Sequence, residues 1–256
     1  MFDLLGNAVN QPSVLVVVGL IMMSGSTFSF AAEDTDWPSL RLGMLRSIDA
    51  DVARHKKILE QPHLSPGVAH AMATVPRHLF VPEQFRGHAY DNRPLPIGHR
   101  QTISQPTIVA LMTELMAIDA GDTVLEVGTG SGYQAAVLAE VASHVHTIEI
   151  IPELAESARN LLGHLGYRNI SVYQGDGYAG FPQCAPFDAI MVTAAPPVLP
   201  PVLLEQLKPG GRLVAPVGPE NATQWLNVWI KQPDGSCEIR KIIPVRFVPM
   251  VGDSSE

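Results

Sequence analysis

Residues 123–150, TVLEVGTGSGYQAAVLAEVASHVHTIEI, constrain this chain more than any other stretch. The apolar run 124–127 ends in Gly128, Gly130 and Gly132, and a helical pattern then leads to a second apolar run, 145–150, which carries Glu149. This reads as a strand, a glycine turn, a helix and a second strand with an acid at its tip, the repeating unit of a doubly wound α/β fold. Glycines let the backbone turn sharply and leave room for a ligand, while the free N–H groups of the helix start face it. Glu149 lies 21 residues after Gly128, where such units place a carboxylate that accepts hydrogen bonds from ribose hydroxyls. The expectation is a ligand that carries adenosine.

The turn itself narrows the ligand. A dinucleotide fingerprint is G-x-G-x-x-G, with the third glycine packing helix against strand around a pyrophosphate. Here the spacing is G-x-G-x-G followed by Tyr133, and Glu126 precedes it. That string, LEVGTGSGYQ, resembles the first motif of the S-adenosylmethionine-dependent methyltransferases. Such a cofactor has no phosphate to bind but carries a cationic sulfonium and an amino-acid tail. A glycine-rich turn in another doubly wound fold stays open at this point, because short glycine motifs also match by chance.

Composition excludes several other classes. The 256 residues, 46% hydrophobic, suffice for one α/β domain with additions. A net charge of −8 and the lack of any Lys/Arg cluster argue against a nucleic-acid partner, which would need a basic face. Cys184 and Cys237 are the only cysteines and stand far apart, so neither a disulfide framework nor a zinc signature is present. His144 and His146, the closely spaced histidines, share one strand face and read as packed or solvated side chains rather than metal ligands.

The first 41 residues permit two readings. The apolar run 14–23 followed by Ser29-Phe30-Ala31 looks like a signal segment and its cleavage site, which would imply a periplasmic location. The run is too short to span a bilayer, and the segment before it holds Asp3 and no Lys or Arg. The other reading is a start at Met44, which opens an amphipathic pattern and leaves 213 residues. From about residue 42 to 252 a single domain is expected, with N-terminal helices and a substrate loop over 42–118 and the cofactor-binding sheet over 119–252.

Helical periodicity covers 41–60, 66–75 and 107–118. Between the last two, prolines at 82, 94, 96 and 106 leave an irregular stretch of the kind that forms lids or binding loops. Beyond Glu149 the pattern predicts a helix over 152–165, strands at 170–174 and 187–193, a helix over 201–207, a turn at 208–211 and a strand at 212–217. Runs at 224–231 and 238–248 flank the hairpin signal Asp234-Gly235. The predicted fold is α/β: a doubly wound, mostly parallel seven-stranded sheet with an antiparallel C-terminal hairpin and N-terminal helices.

Read together, QTISQP at 101–106, LEVGTGSGYQ at 125–134, Gly175-Asp176-Gly177 and FDAIMVTAAP at 187–196 are similar to motifs of the protein-L-isoaspartate O-methyltransferase family. LPIG at 95–98 and VRFVPMV at 245–251 extend the resemblance, which runs from about residue 46 to 251. It implies S-adenosylmethionine as cofactor and, as substrate, the L-isoaspartyl residues of damaged proteins and peptides, methylated on the free α-carboxylate. The ester then expels methanol and re-forms a succinimide, part of which hydrolyses to aspartate.

A carboxylate is already an anion at neutral pH, so the reaction needs no general base, and the protein's task is alignment. By resemblance the active-site serine is Ser104, whose hydroxyl can donate to one carboxylate oxygen and aim the other. An ordinary helix-capping role is the competing explanation. Thr102, Ile97 and Thr193 are expected beside the substrate. Gln101, Thr102, Ile103, Ser104, Glu126, Gly128, Thr129, Gly130, Gly132, Glu149, Asp176, Gly177 and Gln224 are expected around the cofactor, and no metal is expected. A methyltransferase of a small-molecule carboxylate or hydroxyl is the nearest alternative; a nicotinamide oxidoreductase or a silent binding module is the alternative from another class. The cofactor's origin in the cytosol favours a cytoplasmic monomer over a periplasmic protein.

Overall fold

Strand β3 (Thr123–Val127) is apolar on both faces because it lies in the middle of a sheet covered on both sides. The computed structural model describes residues 35–54 and 63–252. The signal-like segment and the last six residues of the first predicted helix, 55–60, lie outside the described residues.

Among the described residues three α-helices precede the seven-stranded sheet: α1 (Trp37–Arg54), α2 (Pro66–Thr74) and α3 (Pro106–Met116). Helix α1 starts four residues before its expected position, where the Asp36 carboxylate accepts the Ser39 N–H at 3.1 Å. Ser65 accepts the Val68 N–H at the head of α2. The stretch between α2 and α3 is less irregular than its prolines suggest. It holds 3-10 turns at Arg77–Phe80 and Glu83–His88 and a small antiparallel hairpin, β1 (Leu95–Gly98) with β2 (Gln101–Ile103). Four and three residues are too few for an alternating pattern to show. The hairpin turns through His99 and Arg100, both with positive φ.

After β3 come α4 (Tyr133–Ala139), β4 (His144–Glu149), α5 (Pro152–His164), β5 (Ile170–Gln174) and β6 (Phe187–Val192). Then follow α6 (Pro201–Glu205), β7 (Leu207–Val217), β8 (Gln224–Lys231) and β9 (Cys237–Val245). The seven strands lie in the order β5-β4-β3-β6-β7-β8-β9. All neighbours are parallel through β7, and β8 pairs antiparallel with β7 and β9. The doubly wound sheet and its antiparallel end are as expected. The Lys208-Pro209-Gly210-Gly211 turn, however, is absorbed into β7: the register jumps so that Phe187 faces Leu207 while Ala189 already faces Arg212.

Two apolar layers flank the sheet. One joins α1, α2, α3 and α4 to Val124, Val145, Met191 and Val214; the other joins Leu125, Val127, Ile148, Phe187, Ile190 and Leu213 to Leu203 of α6. Alternate residues of one strand thus serve opposite layers. Burial of this apolar surface drives the fold and holds the carboxyl ends of β3, β4 and β6 in one plane.

Candidate active site

Strand β3 is continued by β4 on one side and by β6 on the other, so their carboxyl ends form a topological switch point, where ligands of such sheets bind. The chain leaves β3 through Gly128 (φ +102°), Gly130 (φ +54°) and Gly132 (φ +86°). The N–H groups of Gly128 and Thr129 both reach the Ile148 carbonyl, at 2.8 and 3.2 Å, which anchors the turn to β4. Any side chain at Gly128 would run into the Thr193 hydroxyl. Gly132 serves packing instead: a Cβ there would meet Leu162 and Ala158 of α5 at 3.2 and 3.4 Å.

Around this turn lies an open cleft whose empty space, counted out to open solvent, is about 830 Å³. Of the residues anticipated from the sequence, Gln101, Thr102, Ile103, Ser104, Gly128, Thr129, Gly130, Glu149, Gly177 and Thr193 line it. Glu149 is its carboxylate, accepting the N–H of Gly130 at 2.8 Å and of Ile151 at 3.0 Å. Apolar walls come from Val127, Ile148, Ile150, Ile151 and Met250. Gly177 lets the tip beyond β5 approach closely, since a Cβ there would collide with the Val127 side chain.

Other anticipated residues sit elsewhere. Glu126 is fully buried beneath the glycine turn, and Ile97 touches the turn from outside, 3.4 Å from where a Gly130 side chain would begin. Asp176 accepts the Tyr178 N–H at 2.8 Å and heads the 3-10 turn Gly177–Ala179. Gln224 is buried, and its amide clips Phe247: it accepts the Phe247 N–H at 2.6 Å and donates to the Phe247 carbonyl at 3.2 Å. None of these four lines the cleft. Thr193 spends its hydroxyl on the Val127 and Gly128 carbonyls, at 3.0 and 2.6 Å.

Burial lifts the Glu126 carboxyl to about 8, against a Thr147 hydrogen bond that lowers it; the Glu149 charge adds a smaller push upward. Oxygen Oε1 of Glu126 has no hydrogen-bond partner.

The C-terminal wall, Val248 to Val251, was missed from the sequence. It reaches the cleft through a parallel bridge between Ala195 and Pro249, a contact between distant residues that no local pattern encodes. Tyr133 and Gln134, which also line the cleft, stand in the glycine string itself and were passed over in favour of its glycines.

A second groove of about 980 Å³ adjoins the cleft and shares Thr102, Ser104, Thr193 and Val248 with it. Pro94, Gln105, Ile108 and the segment from Pro244 to Phe247 complete its lining. Ser104 therefore stands where the two meet. It does not cap α3: the N-cap position is Gln105, and no side chain caps that end.

A switch-point cleft with a side-chain-free glycine turn, apolar walls and one carboxylate at the second strand tip fits an adenosine bearing a cationic sulfonium and leaves no phosphate cradle. Fold and site together define a Rossmann-like S-adenosylmethionine-dependent methyltransferase. A family model described as protein-L-isoaspartate(D-aspartate) O-methyltransferase matches residues 54–255. Among curated relatives, protein-L-isoaspartate O-methyltransferase 1 of Cupriavidus necator is 50% identical over 94% of this chain and 93% of its own length. Protein-L-isoaspartate O-methyltransferase 2 of Syntrophobacter fumaroxidans is 50% identical over 93% of this chain and 96% of its own. A solved protein-L-isoaspartate O-methyltransferase superposes with a TM-score of 0.72 at 27% identity, covering 83% of this chain and 66% of that one. A Plasmodium falciparum structure in complex with S-adenosyl-L-homocysteine shares the fold, with a TM-score of 0.68 at 23% identity over 84% of this chain and 98% of that one. The chain belongs to the protein-L-isoaspartate(D-aspartate) O-methyltransferase family.

Proposed function

We propose that the two adjoining clefts divide the work of a protein-repair methyltransferase, the first holding S-adenosylmethionine and the second an isoaspartyl polypeptide, with Ser104 at the junction. The cofactor, when bound, supplies a methyl group activated by a sulfonium. The glycine turn at Gly128 and Gly130 leaves space for the amino-acid tail, Glu149 faces the ribose, and Gly177 with the apolar wall receives the adenine. Ser104 donates its hydroxyl to one oxygen of the free α-carboxylate and so points the other at the methyl group. Thr102 and Ile103 shape the same junction. Glu126, Gly132, Asp176 and Gln224 act on the cofactor through the backbone they support, and Ile97 packs behind the turn.

No proton has to move, because the acceptor is an anion at neutral pH. Catalysis is therefore alignment together with partial removal of water from the carboxylate. The observation that carries this reading is that Ser104 lines both clefts while the capping position belongs to Gln105. The groove leading away from Ser104 along Pro244 to Val248 gives the flanking residues of a polypeptide a lined path, which supports a peptide acceptor over a small molecule.

Residues 42–252 act as one catalytic domain, in the cytosol where the methyl donor is made, and as a monomer without nucleic-acid partners, in keeping with the acidic charge. Among the described residues no helix is long and apolar enough to cross a membrane, and no cluster of His, Cys, Asp and Glu is arranged to hold a metal.

The test uses labelled S-adenosylmethionine with an isoaspartyl peptide and its aspartyl twin. A base-labile ester on the former alone is expected, and equal labelling overturns the assignment. Ser104→Ala should lower kcat by roughly 10- to 100-fold, the worth of a hydrogen bond to a charged group, with S-adenosylhomocysteine affinity within about twofold. Unchanged turnover would remove Ser104 from the reaction.

A further inference from the structure

The guanidinium of Arg77 is wholly buried, with 0% of the residue exposed, at the head of the 3-10 turn Arg77–Phe80. Its Nε donates to the Ala89 carbonyl at 2.7 Å and one terminal nitrogen donates to the Ser104 carbonyl at 2.7 Å. The other terminal nitrogen has no hydrogen-bond partner. The guanidinium carbon stands 4.7 Å from the centre of the Tyr133 ring. None of the ion pairs among the described residues includes Arg77, and the neighbours whose fields act on it are tyrosines, Tyr133 and Tyr90. Among the described residues this is a buried cation without an anion, an arrangement that is costly unless something compensates it.

A clamp on two carbonyls does not need charge; a neutral amide donates as well at a smaller desolvation cost. What charge adds is a field, and two of the groups beside the guanidinium, Ser104 and Tyr133, are walls of the cofactor cleft. Ser104 also borders the groove. We infer that Arg77 is a positioning residue with two duties: it fixes the Ser104 backbone, and its uncompensated charge draws the acceptor carboxylate in its ionised form to the junction of the two clefts. The inference rests on the reading that this junction receives an isoaspartyl α-carboxylate.

The sign of the effect is specific. The acceptor carries a full negative charge when it binds and loses it as its oxygen takes up the methyl group. A fixed cation behind the wall therefore stabilises the bound anion more than the transition state. The charge of Arg77 should therefore appear in substrate affinity, and only its clamp on Ser104 in the chemical step.

The experiment compares an isoaspartyl peptide with the same peptide bearing an α-carboxamide as a competitive inhibitor. The wild-type protein should bind the acid at least tenfold more tightly than the amide. Arg77→Met should reduce that ratio toward one and raise KM at least tenfold, with S-adenosylhomocysteine affinity within about twofold, while any fall in kcat reports the released Ser104 backbone. Arg77→Lys keeps the charge and should keep the ratio, even as both peptides bind more weakly.

Equal binding of acid and amide to the wild-type protein overturns the inference without any variant. A ratio that survives in Arg77→Met, or that is lost in Arg77→Lys, overturns it too, and the lysine variant decides the matter should the methionine variant not fold. If the wild-type protein methylates the isoaspartyl peptide and one of these results is found, only the role of Arg77 falls; if it does not methylate that peptide, the underlying assignment falls instead.

Discussion

Thr147 donates its hydroxyl to the Glu126 carboxyl at 2.6 Å, in a wholly buried place one strand away from the glycine turn. The Thr147 and Thr129 hydroxyls lie 2.6 Å apart, so a chain of hydrogen bonds runs from the cleft wall to a carboxyl held near 8. The acid is therefore largely protonated at neutral pH.

This has a consequence for stability. The folded value lies above the ordinary 4.5. Below 4.5 both states hold the proton. Between 4.5 and 8 the unfolded chain releases it while the folded chain keeps it, so stability falls as pH rises, by at most about 1.4 kcal/mol per unit, and levels off above 8. Glu126→Gln removes that slope. Calorimetric melting from pH 5 to 9 should show the variant losing less stability than the wild-type protein across this window, and two parallel curves would mean that Glu126 is not protonated in the fold.

Gly128 and Gly130 stand two residues apart but are under different constraints. Gly128 has φ +102°, outside the left-handed region that other residues tolerate, and a side chain there would strike the Thr193 hydroxyl. Gly130, at φ +54°, lies inside that region, and its added Cβ would meet only the end of Ile97 at 3.4 Å. Gly128→Ala should cost roughly 2–4 kcal/mol, combining backbone strain and overpacking, and weaken S-adenosylhomocysteine binding at least tenfold. Gly130→Ala should cost about 1–2 kcal/mol of stability. Denaturant titration and calorimetry on both variants check the order, and comparable losses would contradict it.

Arg246 is exposed and is the one charged residue among those lining the groove beside Ser104. A rim charge of this kind is worth up to about 1 kcal/mol, or a few-fold in kcat/KM. Isoaspartyl peptides with a glutamate near the modified residue should be methylated severalfold more efficiently than their lysine counterparts, less so at high salt. Arg246→Glu should reverse the preference and leave a peptide with uncharged neighbours within about twofold. An unaltered preference in the variant would place the flanking residues outside this groove.

Much of the site was legible because its signals are local. Gly128, Gly130 and Glu149 belong to one strand-turn-helix-strand unit, where a positive φ demands glycine and the second strand tip carries the acid. The irregular stretch 77–106 was harder: its 3-10 turns are one or two turns long, its hairpin strands three and four residues, and its order comes from distant partners. Asn92 donates to Asp51 of α1 at 2.7 Å, and Arg77 clamps the chain at Ala89 and Ser104. Asp176 and Gln224 are of types that serve both ligands and backbone, and only the fold shows that their protein partners are Tyr178 and Phe247.

Order and spacing along the chain determined the doubly wound sheet and the glycine turn, since each follows from periodicity or from a short string whose backbone needs are written in its residue types, while Ser104 was singled out by the resemblance of its string to a family motif. Tertiary structure alone decided that Val248 to Val251 close the cleft, that Ser104 stands between two cavities, and that a buried arginine with no anion among the described residues lies behind it. Those relationships join residues tens to more than a hundred positions apart, and they exist only because burial of two apolar layers brings the ends of β3, β4 and β6 together and carries the remaining segments to them.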